Sequence, residues 1–509
     1  MSLRGAQRRS NLLPFAAGLP KRGSSLLWLS RVAIVALVLV LPTAADAAGK
    51  DSGARVFRAG AAAANITPPL DEPVVGGWDS PPGTHVHDQL YARCLVLDDG
   101  RTRLAFVVCD NLGIAREACD AAKQIIHDKT GIAQENILIS ATHTHSSVSA
   151  TGSHRLIRGK ELSPYQQFLV RRIADGVRTA VHNLEPAQVG WGRAQEPTSV
   201  FNRRYFMKPG TPTPSPLGGE DKVVMNPGRA NILKPAGPTD PEVAFLSIRS
   251  VTGRPIALLA NYSLHYVGGV GHGALSSDYY GIFADRIQQL LGADRQSPPF
   301  VAIMSNGTSG DINNINPLDP APQKSAPYEK MRLVANVVAE AVARAHEQIT
   351  FRDWVRLDAR RQELTLAARK PTPAQLAYAR QILDKPENAP KHHGRERVYA
   401  DRVLRLAEAP DQVSIVLQAF RVGEVGICAI PFEVFVEIGL ELKEKSPFAQ
   451  TFTISHANGS YGYLPTVRHH ELGGYETWLG TNNVEIQAAP KIVQSLLTLL
   501  QQCRSASQD

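Results

Sequence analysis

The sequence predicts an α/β fold, a mixed sheet core flanked by helices, and three observations predict it. Short apolar strand-like runs alternate with longer helix-like segments along most of the chain, which favours a helix-covered sheet over a sandwich. Two of the strands are joined by Asp98-Asp99-Gly100, a hairpin-type turn. The 509 residues contain no internal repeat and no low-complexity domain, and they suffice for a substantial core.

The elements follow in order. Residues 91–97 and 103–109 are the strands of that hairpin. A helix-like run over about 113–130 meets a stop signal at Gly131, and a short apolar strand follows over 136–139. Ser163-Pro164 starts a helix that runs to about Asn183, with serine as cap and proline at the first position. Residues 206–241 are rich in proline and glycine and read as a long surface loop. Residues 255–262 form a strand, 278–291 a helix capped by Ser276-Ser277-Asp278, 300–304 a strand and 327–348 a long helix. The charged, helix-prone stretch near 366–412, broken around 386–393, reads as a peripheral helical insertion. Strands resume over 413–420 and 425–430, and an amphipathic last helix over about 484–502 docks on the core. No linker divides residues 48–509, so one domain is expected.

Residues 1–47 read as an export signal. A basic region precedes the apolar run 32–41, and Ala45-Asp46-Ala47 supplies a small-x-small cleavage pattern. Arg31 interrupts the longer apolar stretch and leaves a run short for a membrane span; an uncleaved N-terminal anchor is the alternative. Arg8-Arg9-Ser10 has the twin-arginine form but lies far from the apolar run. The expected destination is the periplasm or the exterior. This segment holds six of the 55 basic and one of the 47 acidic residues, leaving 49 against 46. The formal charge of +8 thus shrinks to +3, which gives no ground for a nucleic-acid partner. The five cysteines lack C-x-x-C spacing, so a cysteine zinc site is not supported. Cys94, Cys109 and Cys428 sit in strand-like runs as core thiols, and no disulfide framework is expected.

Chemistry concentrates in four places. Ile139-Ser140-Ala141-Thr142-His143-Thr144-His145-Ser146 places two histidines at i and i+2 where a strand ends, so alternation turns both to one face. Imidazole is the commonest transition-metal ligand, and strand-end loops usually carry the chemistry of α/β proteins. His265 follows a second strand, in Asn261-Tyr262-Ser263-Leu264-His265. Glu433, in Ala429-Ile430-Pro431-Phe432-Glu433, falls in a helix-like first turn, where a carboxylate also complements the helix dipole. Gly459-Ser460-Tyr461-Gly462-Tyr463-Leu464-Pro465-Thr466 is a glycine-rich loop with tyrosines, followed by Glu471-Leu472-Gly473-Gly474-Tyr475-Glu476. Singly, each reads as ordinary structure. Gly268-Gly269-Val270-Gly271-His272-Gly273 lacks the lysine ending and glycine spacing of a phosphate loop.

Together, and in this order, the segments resemble the neutral/alkaline non-lysosomal ceramidase family, specifically its N-terminal catalytic domain. Ala64-Asn65-Ile66-Thr67-Pro68 and Gly310-Asp311 belong to the match, whose anchors run from about residue 57 to 480. The resemblance implies a zinc ion held by His143, His265, Glu433 and Tyr463, and hydrolysis of an N-acyl amide by metal-activated water. It implies His145 as proton shuttle or carbonyl hydrogen-bond donor, Tyr475 as oxyanion partner and Arg203 as the active-site arginine, with adjacent Arg204 one residue away from that assignment. Asn313 stands where the family carries a serine, so a zinc-water mechanism survives and a serine mechanism does not; nearby Ser309 is displaced from that place. The family continues into a C-terminal β-sandwich, which the roughly 30 residues after Glu476 are too few to form. The expected partner is therefore a small-molecule or lipid amide, either ceramide or a smaller N-acyl compound, with peripheral membrane contact and unspecified oligomeric state. The alternatives are a zinc-dependent esterase on the same site and a non-catalytic metal-containing ligand-binding relative.

Overall fold

The computed structural model describes residues 55–152, 155, 156, 159, 161–320 and 324–505. The expected export signal, 1–47, lies outside the described residues. In chain order the larger elements are β1 (Arg58–Asn65), β2 (Tyr91–Asp98), β3 (Arg103–Cys109), α1 (Arg116–Thr130), β4 (Ile137–Ala141), α2 (Pro164–His182), β5 (Glu185–Gln195), β6 (Glu242–Ser250), β7 (Pro255–Tyr262), α3 (Asp278–Leu290), β8 (Val301–Asn306) and α4 (Glu329–His346). Then come β9 (Leu357–Ala367), α5 (Pro373–Asp384), α6 (Glu396–Glu408), β10 (Gln412–Val422), β11 (Val425–Ala429), α7 (Val436–Lys445), β12 (Gln450–Ile454) and α8 (Ala488–Ser505).

Strands β8-β7-β6-β5-β1-β2-β3-β4 form one eight-stranded sheet, and β9-β10-β11-β12 form a four-stranded one. Both are mixed: β3–β4, β7–β8 and β11–β12 pair in parallel, and their other neighbours pair antiparallel. The two sheets pack face to face through Phe57, Leu95, Phe106 and Leu246 on one side and Phe420, Val425 and Phe452 on the other. Phe106 and Phe420 meet across that layer with ring centroids 5.2 Å apart. Truncating either ring to alanine would cost about 3–5 kcal/mol, because both are fully enclosed. Helices cover the outer faces: α1 and α2 over one end of the large sheet, α3 and α4 over the other, and α5, α6 and α8 over the small one.

The mixed, helix-flanked sheet stands as read from the sequence; the second stacked sheet does not follow from strand–helix alternation, which shows how many strands exist and not how they divide. Ser163 caps α2 through a full capping box with Gln166. The cap of α3 differs from the reading. Ser276 and Ser277 donate to Asp88, and Asp278, at φ 59°, accepts the amides of Val267 (2.9 Å), Gly268 (2.8 Å) and Tyr279 (2.7 Å). The proline-rich stretch 206–241 contributes to a three-stranded sheet of Arg204–Met207, Val223–Met225 and Ile232–Pro235, not one long loop. All five cysteines are reduced and buried. No helix among the described residues is long and apolar enough to cross a membrane.

Candidate metal centre and active site

The parallel strand pairs deliver the site. Chain leaving the carboxyl ends of β4, β7, β11 and β12 carries His143 and His145, His265, Glu433, and His456 respectively. In mixed α/β sheets this is where ligands are held, because the outgoing loops converge there. At this end the small sheet is tied to β4, and the two edges of the large sheet are tied to each other. Ser140 bridges Ala457, the Asn458 amide donates to the Ile139 carbonyl at 2.7 Å, and the Asn306 side chain donates to the Thr142 carbonyl at 2.9 Å.

Strand alternation does not bring His143 and His145 together. β4 ends at Ala141, and His143 takes φ 70°, a left-handed conformation that non-glycine residues adopt at a cost of about 1–3 kcal/mol. The His143 amide donates to the Asn111 carbonyl at 2.9 Å, and its Nδ1 donates to the Leu112 carbonyl at 2.6 Å. That bond fixes the tautomer and leaves Nε2 free, the second-layer arrangement typical of metal-binding histidines. His265 is set likewise: Nδ1 donates to the Ser309 carbonyl at 3.0 Å, and its buried Nε2 has no hydrogen-bond partner among the described residues. His145 Nε2 lies 3.1 Å from His143 Nε2, and one ring nitrogen from each of the three histidines falls within 4.8 Å of the others.

Glu433 and Tyr463 arrive as direct partners in a short parallel pairing, Glu433 opposite Tyr463 and Val434 opposite Leu464. Glu433 therefore sits in a strand just before α7, not in a helical first turn. Its Oε2 stands 3.4 Å from His143 Nε2. Burial would raise its pKa, but His143, Arg155 and His456 outweigh that and hold the carboxyl well below its ordinary range. Burial, then neighbouring positive groups, push His145 and His265 well below the ordinary histidine range, so both imidazoles are neutral at pH 7. His143 with its Nδ1 committed to a carbonyl, His265 with its Nε2 partnerless among the described residues, an ionised carboxylate and a phenol make a donor set that fits a divalent cation such as zinc.

Of the two adjacent arginines, Arg203 is the one beside Tyr463. It donates to the Tyr463 hydroxyl at 3.0 Å and to Glu476 Oε1 at 2.9 Å. Arg204 turns away, to Glu476 Oε2 at 2.5 Å and the Gly473 carbonyl at 2.5 Å. Burial raises the Tyr463 and Tyr475 hydroxyls above the ordinary phenol range. The Tyr475 ring packs edge-on against Tyr463, with centroids 5.7 Å apart. His143, His145, Glu433, Tyr463 and Tyr475 line one cavity of about 300 Å³; buried His265 and Arg203 are not among its lining residues. Asn313 is not either: its amide donates to Asn226 at 2.5 Å and its oxygen accepts the Ile315 amide at 3.0 Å. Ser309 donates to Asn306 at 2.7 Å.

Three participants escaped the sequence reading. His456 stacks on His143 at 4.1 Å, with its buried Nε2 unpartnered. The strand-end rule that found His143 and His265 applies equally to it, since β12 ends two residues earlier. Tyr266 stacks on His145 at 3.7 Å, and Glu476 binds both arginines; neither carries a local signal.

A family model described as "Neutral/alkaline non-lysosomal ceramidase, N-terminal" matches residues 57–322, more than half of the chain. The chain belongs to this family. The matched ceramidase segment holds His143, His145, Arg203 and His265, and Glu433, Tyr463 and Tyr475 lie beyond it. Neutral ceramidase B of Dictyostelium discoideum is 23% identical over 278 residues, which are 52% of this chain and 36% of that protein. The match thus spans about a third of that relative's length. The crystal structure of neutral ceramidase from Pseudomonas aeruginosa shares the fold, with TM-score 0.64 at 17% identity over 88% of this chain and 75% of the other. A ceramidase complexed with C2 aligns with the same TM-score and coverage at 16% identity.

Proposed function

We propose that this ceramidase-family chain is an exported, zinc-dependent hydrolase that cleaves an N-acyl amide bond. One observation carries the reading: His143, Glu433 and Tyr463 come from separate chain segments yet line one cavity, and His265, its buried Nε2 without a hydrogen-bond partner among the described residues, brings a ring nitrogen within 4.8 Å of His143 just behind it. The ceramidases it resembles support an amide of the ceramide type, and the solved complex with C2 is consistent with such a ligand. Export rests on the N-terminal 47 residues alone.

Bound zinc would supply a Lewis acid and a water acidic enough to ionise near pH 7. The remaining steps belong to the protein. Hydrolysis adds one water across the C–N bond, giving a carboxylic acid and an amine. Neutral His145, stacked on Tyr266 and held 3.1 Å from His143, takes the water's proton and returns it to the leaving nitrogen. Tyr475 keeps its proton at neutral pH and donates to the carbonyl oxygen as negative charge develops there, a contact worth a few kcal/mol in the transition state. Arg203 orients the Tyr463 oxygen and is itself held by Glu476. Asn313 acts through Asn226 and the turn at Ile315, away from substrate.

The test is metal content of the purified chain together with hydrolysis of N-acyl amides, ceramide included, by wild type and His143→Ala. About one zinc per chain, with metal and activity both lost in the variant, is expected. A folded chain that takes up no zinc would overturn the ligand set and the mechanism with it.

A further inference from the structure

The mouth of the cavity is cationic, and its charge comes from a part of the chain that supplies no metal ligand. Helix α6 lies over the site and contributes Arg402, Arg405 and Leu406 to the lining; Arg155 adds a third guanidinium. Glu433 is the one carboxylate among the lining residues, and it belongs to the proposed ligand set. Arg155 faces Glu433 Oε1 at 3.4 Å, and Arg405 pairs with exposed Asp401 at 2.8 Å. Arg402 has no carboxylate partner among the described residues. Its guanidinium rests on aromatic faces instead, 4.9 Å from the Tyr399 centroid and 6.0 Å from that of Trp78.

Two leucines, Leu112 and Leu406, are the aliphatic side chains of this lining. About 300 Å³ is at the small end of ligand cavities. An uncharged amide gives Arg402 no counter-charge, whereas Arg155 and Arg405 already face Glu433 and Asp401. Arginine forks match carboxylates in two-point hydrogen bonds, and such pairs strengthen as water is excluded.

Resting on the hydrolase reading above, we propose that the preferred substrate is an amide carrying a carboxylate within a few bonds of the scissile bond, selected by Arg402 with Arg405 and Arg155. The carboxylate stays intact; the water is still added across the amide C–N bond.

Two matched pairs test this with zinc-loaded protein. N-lauroylglycine against N-lauroylglycinamide puts the charge on the amine side, and glutaryl against valeryl p-nitroanilide puts it on the acyl side. The anionic member of at least one pair should be favoured about 10- to 100-fold in kcat/KM, the range a charge-assisted hydrogen bond supplies. Arg402→Gln should collapse that ratio to within about threefold, chiefly through KM, and Arg402→Lys should restore part of it. Arg405→Gln should reduce it by a smaller factor. A second readout needs no turnover: titration calorimetry of metal-free protein should show N-lauroylglycine binding tighter than its amide in wild type and not in Arg402→Gln.

Hydrolysis of the neutral members with no anionic preference in either pair overturns the inference and leaves the hydrolase reading standing. A preference unaltered by Arg402→Gln and Arg405→Gln together overturns it too. No turnover of any amide, with carboxylate-selective and Arg402-dependent binding, upholds the inference and removes the hydrolase reading. No turnover and no selective binding removes both.

Discussion

Glu476→Gln is the most informative single change, because one buried carboxylate holds two buried cations. Its side chain is inaccessible to solvent, as is that of Arg204, and Arg203 is 6% exposed. Glu476 Oε1 receives Arg203 at 2.9 Å and Oε2 receives Arg204 at 2.5 Å. Glutamine keeps the shape and one acceptor but removes the charge, so two guanidiniums stay in low dielectric without a counter-ion. Breaking a buried pair in this way costs about 3–5 kcal/mol. With a urea dependence of about 3 kcal/mol per molar or more for a chain this long, the midpoint should fall by roughly 1–1.5 M. The pH dependence carries a sign. Burial alone would raise the Glu476 carboxyl, but Arg204 and Arg203 outweigh it and hold it below the ordinary glutamate value of 4.5. A depressed carboxyl contributes stability that is complete above its unfolded pKa and is lost as pH falls through the folded one. The gap between wild type and variant should therefore be full at pH 7 and close as pH drops below about 4.5. Activity should fall as well, since Arg203 sets the Tyr463 oxygen. A midpoint within about 0.2 M of wild type, or a gap unchanged at pH 3.5, would refute the account.

Three further outcomes are expected. Lys123, buried in α1, is lowered to about 8, chiefly by burial, from the ordinary lysine value of 10.5. The unfolded chain then binds more protons between about pH 8 and 10.5, so stability should rise with pH across that window by about 3 kcal/mol. Lys123→Met should stabilise at pH 7 and flatten that slope, both read by urea titration. Gly76 has φ 123°, and a Cβ there would come within 2.6 Å of His145 Cβ, so Gly76→Ala should cut kcat at least about tenfold with metal content retained. Asn313→Ala loses the bond to Asn226 and should cost about 1 kcal/mol in stability while changing kcat less than about threefold; a collapse of kcat would put Asn313 in contact with substrate.

The sequence exposed the candidate ligands better than the geometry that joins them. His143 and His265 were legible because strand-like runs end just before them, and in both cases a strand does. The reason given for the His143–His145 pair was wrong all the same. Alternation belongs to extended backbone, and φ 70° at His143 is a tertiary effect: Asn111 and Leu112, from the loop after β3, capture its amide and its Nδ1. Residues 206–241 looked like loop because proline and glycine dominate, yet the Arg204–Met207 strand formed there lies next to Arg203. Composition weighs residues one at a time, and a three-stranded sheet closes by pairing segments 15 or more residues apart.

Helix α6 shows where that limit bears on function. Residues 366–412 are charged and amphipathic, which at sequence level describes any solvent-facing helix and led to a peripheral insertion. The helix instead buries Tyr399, Ala400, Val403 and Leu406 against the small sheet's outer layer and turns Arg402 and Arg405 toward the cavity. A metal ligand is recognisable by residue type, because few side chains bind a cation. An arginine that selects substrate is one of many on a charged helix and becomes distinct once the helix is placed. The family resemblance therefore speaks to the proposed chemistry of the bond broken, while the proposed choice of amide rests on a segment whose meaning is positional. Exchanging Arg402 should accordingly change which amide is cleaved and leave zinc content alone, whereas exchanging His143 should abolish zinc binding for every amide.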